Sequence, residues 1–144
     1  MPPFEHSVEA DVGPEFAWNY WTDIRNWDDP PAQFNLDGPF SSGAKGTTLI
    51  PGQEPIHWVI EAVDPRKSAR ISTLLDRAIF AFEWRFEGLS DRRTKITQRI
   101  GVTGENAAAY KDAQAAFSES LPAGMKRIAA AMAQAEASGN VSQP

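Results

Sequence analysis

The chain has 144 residues, of which 42% are hydrophobic and 23% are charged, and its formal net charge at pH 7 is -5. This length fits one domain with a hydrophobic core, and the negative charge disfavours a nucleic-acid partner, which requires a clustered Lys/Arg surface. The lack of cysteine excludes disulfides, thiolate metal sites and cysteine nucleophiles.

The first predicted element is a strand over residues 4–12, where apolar and polar side chains alternate. His6 lies on the apolar face of this strand, and Gly13-Pro14 ends it. Pro14 is suited to the first turn of a helix. Apolar residues at helical spacing then predict a short amphipathic helix, which includes Trp21 and ends before Pro30-Pro31.

The segment from residue 33 to residue 104 is predicted to form successive strands, separated by turns rich in Gly, Pro, Ser and Asp. Most of these strands have one apolar and one polar face, as in an antiparallel sheet with one buried side. In the strand over 56–63, Trp58, Ile60 and Ala62 are predicted to face inward, which places His57 at the surface. The predicted strands cover residues 34–36, 47–50, 56–63, 69–75, 79–89 and 94–102.

The remainder of the chain is predicted to be helical. An Ala-rich helix runs from residue 104 to about residue 120, and Pro122 predicts a break or kink at Ser120-Leu121 with a new helix after it. Residues 138–144 are expected to form a flexible tail, which leaves one domain over residues 1–137.

The order of these elements predicts an α+β fold. One or two short helices follow the first strand, about six further strands come next, and a long helix closes the chain. A curved antiparallel sheet of about six or seven strands wrapped around a long C-terminal helix leaves a hollow that side chains need not fill.

Several short phrases along the chain occur in an order that resembles a known superfamily. The phrases are Ser7–Pro14 before a Trp-bearing helix, Asp23–Trp27, Gly38-Pro39-Phe40 with Gly43 and Gly46, Trp58–Pro65, Thr94–Gly104 and Leu121–Met125. Together they resemble the helix-grip START/SRPBCC superfamily, in particular its bacterial polyketide cyclase/dehydrase-like branch, over residues 4–136. The resemblance implies a helix-grip fold that holds an apolar or amphipathic ligand. Members range from carriers and sensors to cyclases and chaperone-associated modules, so the fold implies no single activity.

The strand over 79–89 carries an aromatic ladder of Phe80, Phe82, Trp84 and Phe86. Packing against the core explains such a ladder, because the inner face of a sheet is apolar. A cavity wall explains it equally well, since ligand pockets are mainly hydrophobic and aromatic. Trp84 is the strongest cavity candidate of the four, because its indole N–H needs an acceptor.

Two polar side chains interrupt predicted inner faces. His6 lies between Phe4 and Val8, and Gln98 lies between Ile96 and Ile100. If their strands pair, the two side chains are neighbours. An inward Gln requires hydrogen bonds from a neighbour, from water or from a ligand, whereas a His in this position is more often structural than catalytic.

The long helix completes the candidate cavity, because Tyr110 and Phe117 are seven residues apart and share one helix face. No catalytic residue is assigned, and neither a metal nor a cofactor is expected, since the two histidines are far apart in sequence. The candidate cavity-lining residues are His6, Trp21, Trp58, Phe82, Trp84, Gln98, Tyr110 and Phe117.

Three functions are compatible with this pattern. The first is binding of a small hydrophobic or aromatic molecule by a carrier or sensor. The second is a cyclase/dehydratase-like lyase in which His6, Gln98 and Tyr110 position a polyketide-like substrate. The third is a chaperone-associated interaction module. Binding is favoured by elimination, because His6 is the one titratable candidate for the cavity and no surface patch stands out.

The remaining expectations concern partners and location. No nucleic-acid partner and no membrane insertion are expected, and a homodimer is left open. No basic-then-apolar leader is recognised and no apolar run approaches the roughly 18 residues that span a bilayer, so a cytoplasmic location is the expectation.

Overall fold

In a computed structural model that describes residues 3–27 and 30–142, the chain forms a seven-stranded antiparallel sheet and a long C-terminal helix. Side chains are described up to Ser138. The strands are β1 (Phe4–Ala10), β2 (Gln33–Leu36), β3 (Lys45–Leu49), β4 (Ile56–Asp64), β5 (Ser68–Leu75), β6 (Ala78–Ser90) and β7 (Arg93–Thr103). The helices are α1 (Pro14–Trp21) and α2 (Lys111–Ser142), and 3-10 turns cover Ile24–Asn26 and Ala107–Tyr110. This arrangement confirms the predicted helix-grip fold.

The sheet has the order β1-β7-β6-β5-β4-β3-β2, and the helices pack on one of its faces, the inner face. Helix α2 lies mainly against β1 and β7, whereas α1 lies mainly against β6. Because side chains alternate along a strand, β6 directs its aromatic ladder inward, with Phe80 and Phe86 at 5% and 4% exposure. The ladder therefore forms the centre of the inner face.

A bulge in β4 changes the predicted set of inward residues. The pairing of β4 with β5 shifts between Ile60 and Ala62. Ile60 is fully buried, but Ala62 is exposed and Val63 packs against the core instead. The prediction that Ala62 faces inward is wrong, because the extra residue reverses the alternation for the rest of the strand. Trp58 is buried and His57 is exposed, as predicted.

Helix α2 continues through Pro122 without interruption. The predicted break at Ser120-Leu121, with a new helix after it, is therefore wrong, whereas the alternative of a kink there stays a prediction. Proline has no N–H, so it cannot donate to the carbonyl of Ser118. Side chains after the proline are nevertheless firmly packed, with Met125 and Met132 at 1% and 0% exposure. Tertiary packing of the apolar stripe holds the helix where local propensity would end it.

The C-terminal end of α2 extends further than the sequence pattern suggested. The backbone is helical to Ser142, while residues 143–144 lie outside the described part of the chain. A flexible tail over 138–144 and a domain boundary at residue 137 stay predictions. Within the described residues, no helix combines the length and the apolar character needed to cross a membrane.

Candidate functional site

A row of three side chains runs from the edge strand β1 to β6 on the inner face. His6 of β1 lies opposite Gln98 of β7, and Gln98 lies opposite Trp84 of β6. Directly opposed residues on one face of a sheet have Cβ atoms about 5 Å apart. The pairing of β1 with β7 therefore makes His6 and Gln98 neighbours, which the sequence predicted on the condition that these strands pair.

The side chain of Gln98 has no hydrogen-bond partner among the described residues. Gln98 is 6% exposed, its side chain makes no hydrogen bond to any residue that the structure describes, and its polar atoms are not fully enclosed. The indole N–H of Trp84, a residue with 8% exposure, also has no acceptor among those residues. Because neither group is fully enclosed and neither has a partner among the described residues, both are available to a ligand or to water.

A closed aromatic cluster lies where α1 meets the inner face, and it consists of Trp21, Trp27, Trp58, Trp84 and Phe86. The ring of Trp21 lies 4.9 Å from that of Trp84 and 5.4 Å from that of Phe86, measured between centroids. The indole N–H of Trp27 donates to the carbonyl oxygen of Trp21 at 2.7 Å. Trp21 is 3% exposed, so the structure places this candidate residue in the packed core.

Trp58 belongs to the same cluster and is held by β3. Its indole N–H donates to Thr48 Oγ1 at 3.1 Å, and the Trp58 ring lies 5.6 Å from that of Trp27. The indole also covers Gly46, where any Cβ atom would overlap it. Because its N–H already has an acceptor, Trp58 can offer a ligand an apolar wall but no free donor.

The opposite end of the inner face is more open. Phe117 of α2 is 47% exposed, and its ring lies 5.3 Å from that of Phe80 and 5.6 Å from that of Phe82. Tyr110 is half-buried and packs against the part of the core that contains Phe80. Its hydroxyl oxygen accepts a hydrogen bond from the backbone N–H of Asp76 at 3.3 Å. Tyr110 therefore fixes the loop between β5 and β6 to the start of α2.

The closed aromatic cluster and the open end meet at Phe82 and Leu121, which pack against both. Phe82 is only half-buried although it lies on a central strand. We define the cluster junction as Phe82, Trp84 and Gln98 of the sheet together with Phe117 and Leu121 of α2. Aromatic walls around a few polar groups are typical of sites for small molecules.

Two surface grooves lie on the outer face of the sheet, with volumes of about 220 and 460 Å³. Both are lined by Glu5, Ser68, Arg85 and Thr97, among other residues. These charged and hydroxyl groups match an apolar ligand less well than the cluster junction does.

The site contains no arrangement typical of a metal centre. Within the described part of the chain, no three His, Asp or Glu side chains lie close enough together to hold a metal ion. Outside this set of residues, at the surface, a hydrogen bond from the Arg25 guanidinium lowers the pKa of the Asp23 carboxyl group. His6 is the titratable side chain among the inward positions of the described strands.

Sequence reasoning omitted Leu121 from the candidate site. Its signal was present, because Leu121 shares a helical stripe with Met125 and Ile128 that predicts an inward position. Trp27 was also omitted, since its contact with Trp21 depends on how the chain turns back after α1.

Comparisons with known proteins agree with this fold. A family model described as polyketide cyclase / dehydrase and lipid transport matches residues 1–133. A norcoclaurine synthase point mutant from Thalictrum flavum, in complex with a transition state analogue, has a TM-score of 0.72 at 11% identity and covers 94% of this chain and 96% of its own. The same enzyme in complex with dopamine and hydroxybenzaldehyde has a TM-score of 0.68 at 12% identity, with coverage of 89% and 83%. A protein from Arthrobacter aurescens has a TM-score of 0.68 at 18% identity, with coverage of 92% and 86%. No curated protein sequence matches the chain.

Proposed function

Because the chain belongs to the polyketide cyclase/dehydrase and lipid transport family, we propose that it binds a small hydrophobic or aromatic molecule at the cluster junction. In this proposal it acts as a carrier or sensor. The observation that carries the proposal is the amide of Gln98, a residue with 6% exposure that lies opposite Trp84 and has no hydrogen-bond partner among the described residues. A bound molecule supplies the hydrogen bond that the folded chain itself does not.

The side of the junction formed by α2 supports access for a ligand. Phe117 is 47% exposed and Phe82 is half-buried, so apolar surface reaches the solvent where helix and sheet meet. The dopamine and hydroxybenzaldehyde bound by norcoclaurine synthase are small aromatic molecules, which supports a ligand of this size for the fold.

The cyclase/dehydratase alternative has less support from the inner face. Acid–base catalysis needs a titratable group against the substrate. Tyr110, one of the three residues considered for that role, already accepts a hydrogen bond from the Asp76 backbone. His6 then stands alone beside Gln98, without a second acid or base on the inward positions of the described strands.

An NMR titration with cumene, an uncharged apolar aromatic molecule, tests the proposed binding. We expect saturable shifts in the wild-type protein and binding at least about fivefold weaker in Phe117→Ala, because that ring closes one side of the junction. Leu74→Ala is the matched control, since Leu74 is an apolar residue with 81% exposure on the outer face. Absence of saturable binding, or equal weakening in both variants, would contradict the proposal.

A further inference from the structure

We infer that the ligand of the cluster junction is an uncharged aromatic carbonyl compound rather than a carboxylate. The inference rests on the proposed binding function and specifies the chemical class of the ligand. It follows from which hydrogen-bond donors reach the inner face and from where the cationic side chains lie.

Two side-chain donors belong to the row of His6, Gln98 and Trp84. The Gln98 amide N–H and the Trp84 indole N–H come from directly paired residues, and neither has an acceptor among the described residues. A carbonyl oxygen has two lone pairs and can accept from both donors at once. A ketone, aldehyde or amide oxygen is therefore the group that these two donors match, while the Gln98 carbonyl oxygen stays available to water.

The rest of the junction is apolar, so the polar end of the ligand lies against Gln98 and Trp84. Phe82, Phe117 and Leu121 provide no hydrogen-bonding side-chain group, so a second polar group placed against them would lose its water without gaining a partner. The body of the ligand is therefore an aromatic ring, which can pack against Phe82 and Phe117 as these two rings pack against each other.

The described strands also place no Lys or Arg on the inner face to pair with a carboxylate. Within the described strands, Lys and Arg occupy outward positions. These residues are Lys45, Arg70, Arg85, Arg93, Lys95 and Arg99. Arg70 is already engaged by Glu61 at 2.5 Å and by Glu83. A carboxylate at the junction would be buried without a counter-charge, which is strongly unfavourable.

Three probes with the same number of non-hydrogen atoms test this inference. They are acetophenone, a neutral ketone; cumene, its apolar analogue; and benzoate, its anionic analogue. In NMR titrations of the wild-type protein, we expect acetophenone to bind roughly fivefold more tightly than cumene, because of the added hydrogen bonds. We expect benzoate to bind most weakly.

Variants test whether the Gln98 amide and the Trp84 indole cause the preference for acetophenone over cumene. Gln98→Leu is expected to bind acetophenone and cumene with similar affinity, while Trp84→Phe keeps an aromatic ring and loses part of the preference. Gln33→Leu is the matched control, since Gln33 is exposed on β2 and should leave the preference unchanged. Near-UV circular dichroism verifies that each variant is folded, and a full preference for acetophenone in folded Gln98→Leu would overturn the assignment.

The possible outcomes separate this inference from the proposed function. If cumene binds as tightly as acetophenone, or if benzoate binds best, the junction binds ligands but the inferred class is wrong. If none of the three probes binds the wild-type protein, the proposed function fails and the inference fails with it.

Discussion

At the scale of single residues, Thr94 and Gln98 are both buried polar side chains of β7, yet they differ in what they bond to. The Thr94 hydroxyl donates to the carbonyl oxygen of Val12 at 2.9 Å, and Thr94 is fully buried. This bond ties β7 to the chain between β1 and α1. Gln98 has no such internal bond among the described residues. Thr94 therefore has a structural role, whereas the Gln98 amide contributes nothing comparable to the fold.

This difference predicts opposite effects on stability. Thr94→Val should lower the free energy of unfolding by about 1–3 kcal/mol, because it leaves the Val12 carbonyl oxygen buried without a donor. Gln98→Leu should leave the free energy of unfolding unchanged or raise it, because it replaces an amide that has no partner among the described residues with an apolar side chain. Urea denaturation of the ligand-free proteins measures both. A comparable loss in Gln98→Leu would mean that the amide stabilises the fold and is not held for a ligand.

At the scale of elements, α2 shows how packing overrides local preference. A proline inside a helix removes one intrahelical hydrogen bond and costs about 3 kcal/mol relative to alanine. The apolar stripe of α2 offsets this cost, since Met125, Ala129 and Met132 are all buried against the rest of the core. Phe117 lies before the proline and the buried stripe lies after it. The part of α2 beside the junction is therefore joined to the packed part through a weakened turn.

Pro122→Ala is expected to raise the free energy of unfolding by about 1–3 kcal/mol, because residue 122 regains an N–H that can donate to the Ser118 carbonyl oxygen. The same variant should slow amide hydrogen exchange in the turn around residue 122. Hydrogen-exchange NMR and urea denaturation check the two effects. A loss of stability would show that packing of the proline ring matters more than the missing hydrogen bond.

The sequence was sufficient to locate most elements, because alternation is a local property of the chain. The predicted strand over 69–75 differs from the observed Ser68–Leu75 by one residue, and the strand over 56–63 differs from Ile56–Asp64 by one residue. The bulge after Ile60 was not predictable in this way, since it depends on the pairing of β4 with β5. The continuity of α2 likewise depends on contacts with β1 and β7, which are distant in sequence.

The candidate site was predictable to a similar extent. Alternation alone placed His6 and Gln98 on inward faces, and the sheet order made them neighbours. The distribution of the aromatic residues was not predictable from spacing, because Trp21 packs through the position of α1 and the turn that carries Trp27. Periodicity shows which face a ring occupies, but contacts between elements decide whether that ring is enclosed.

At the scale of the whole molecule, the sheet separates charge from apolar surface. On the outer face, Arg70 bridges Glu61 and Glu83 across three strands. Burial opposes the charge on Arg70, but the two carboxylates outweigh burial and raise the pKa of the guanidinium. The inner face carries aromatic and aliphatic side chains with Gln98 among them. This separation leaves the inner face suited to an uncharged ligand.

The most direct test of the central claim is to map where a ligand binds, using side-chain N–H signals in a two-dimensional NMR titration with acetophenone. We predict that the Gln98 amide and Trp84 indole signals shift most. The Trp58 indole, which is already bonded to Thr48, should shift less. Shifts confined to the backbone amides of Ser68 and Arg85 in the outer grooves, or no saturable shift at all, would contradict ligand binding at the cluster junction.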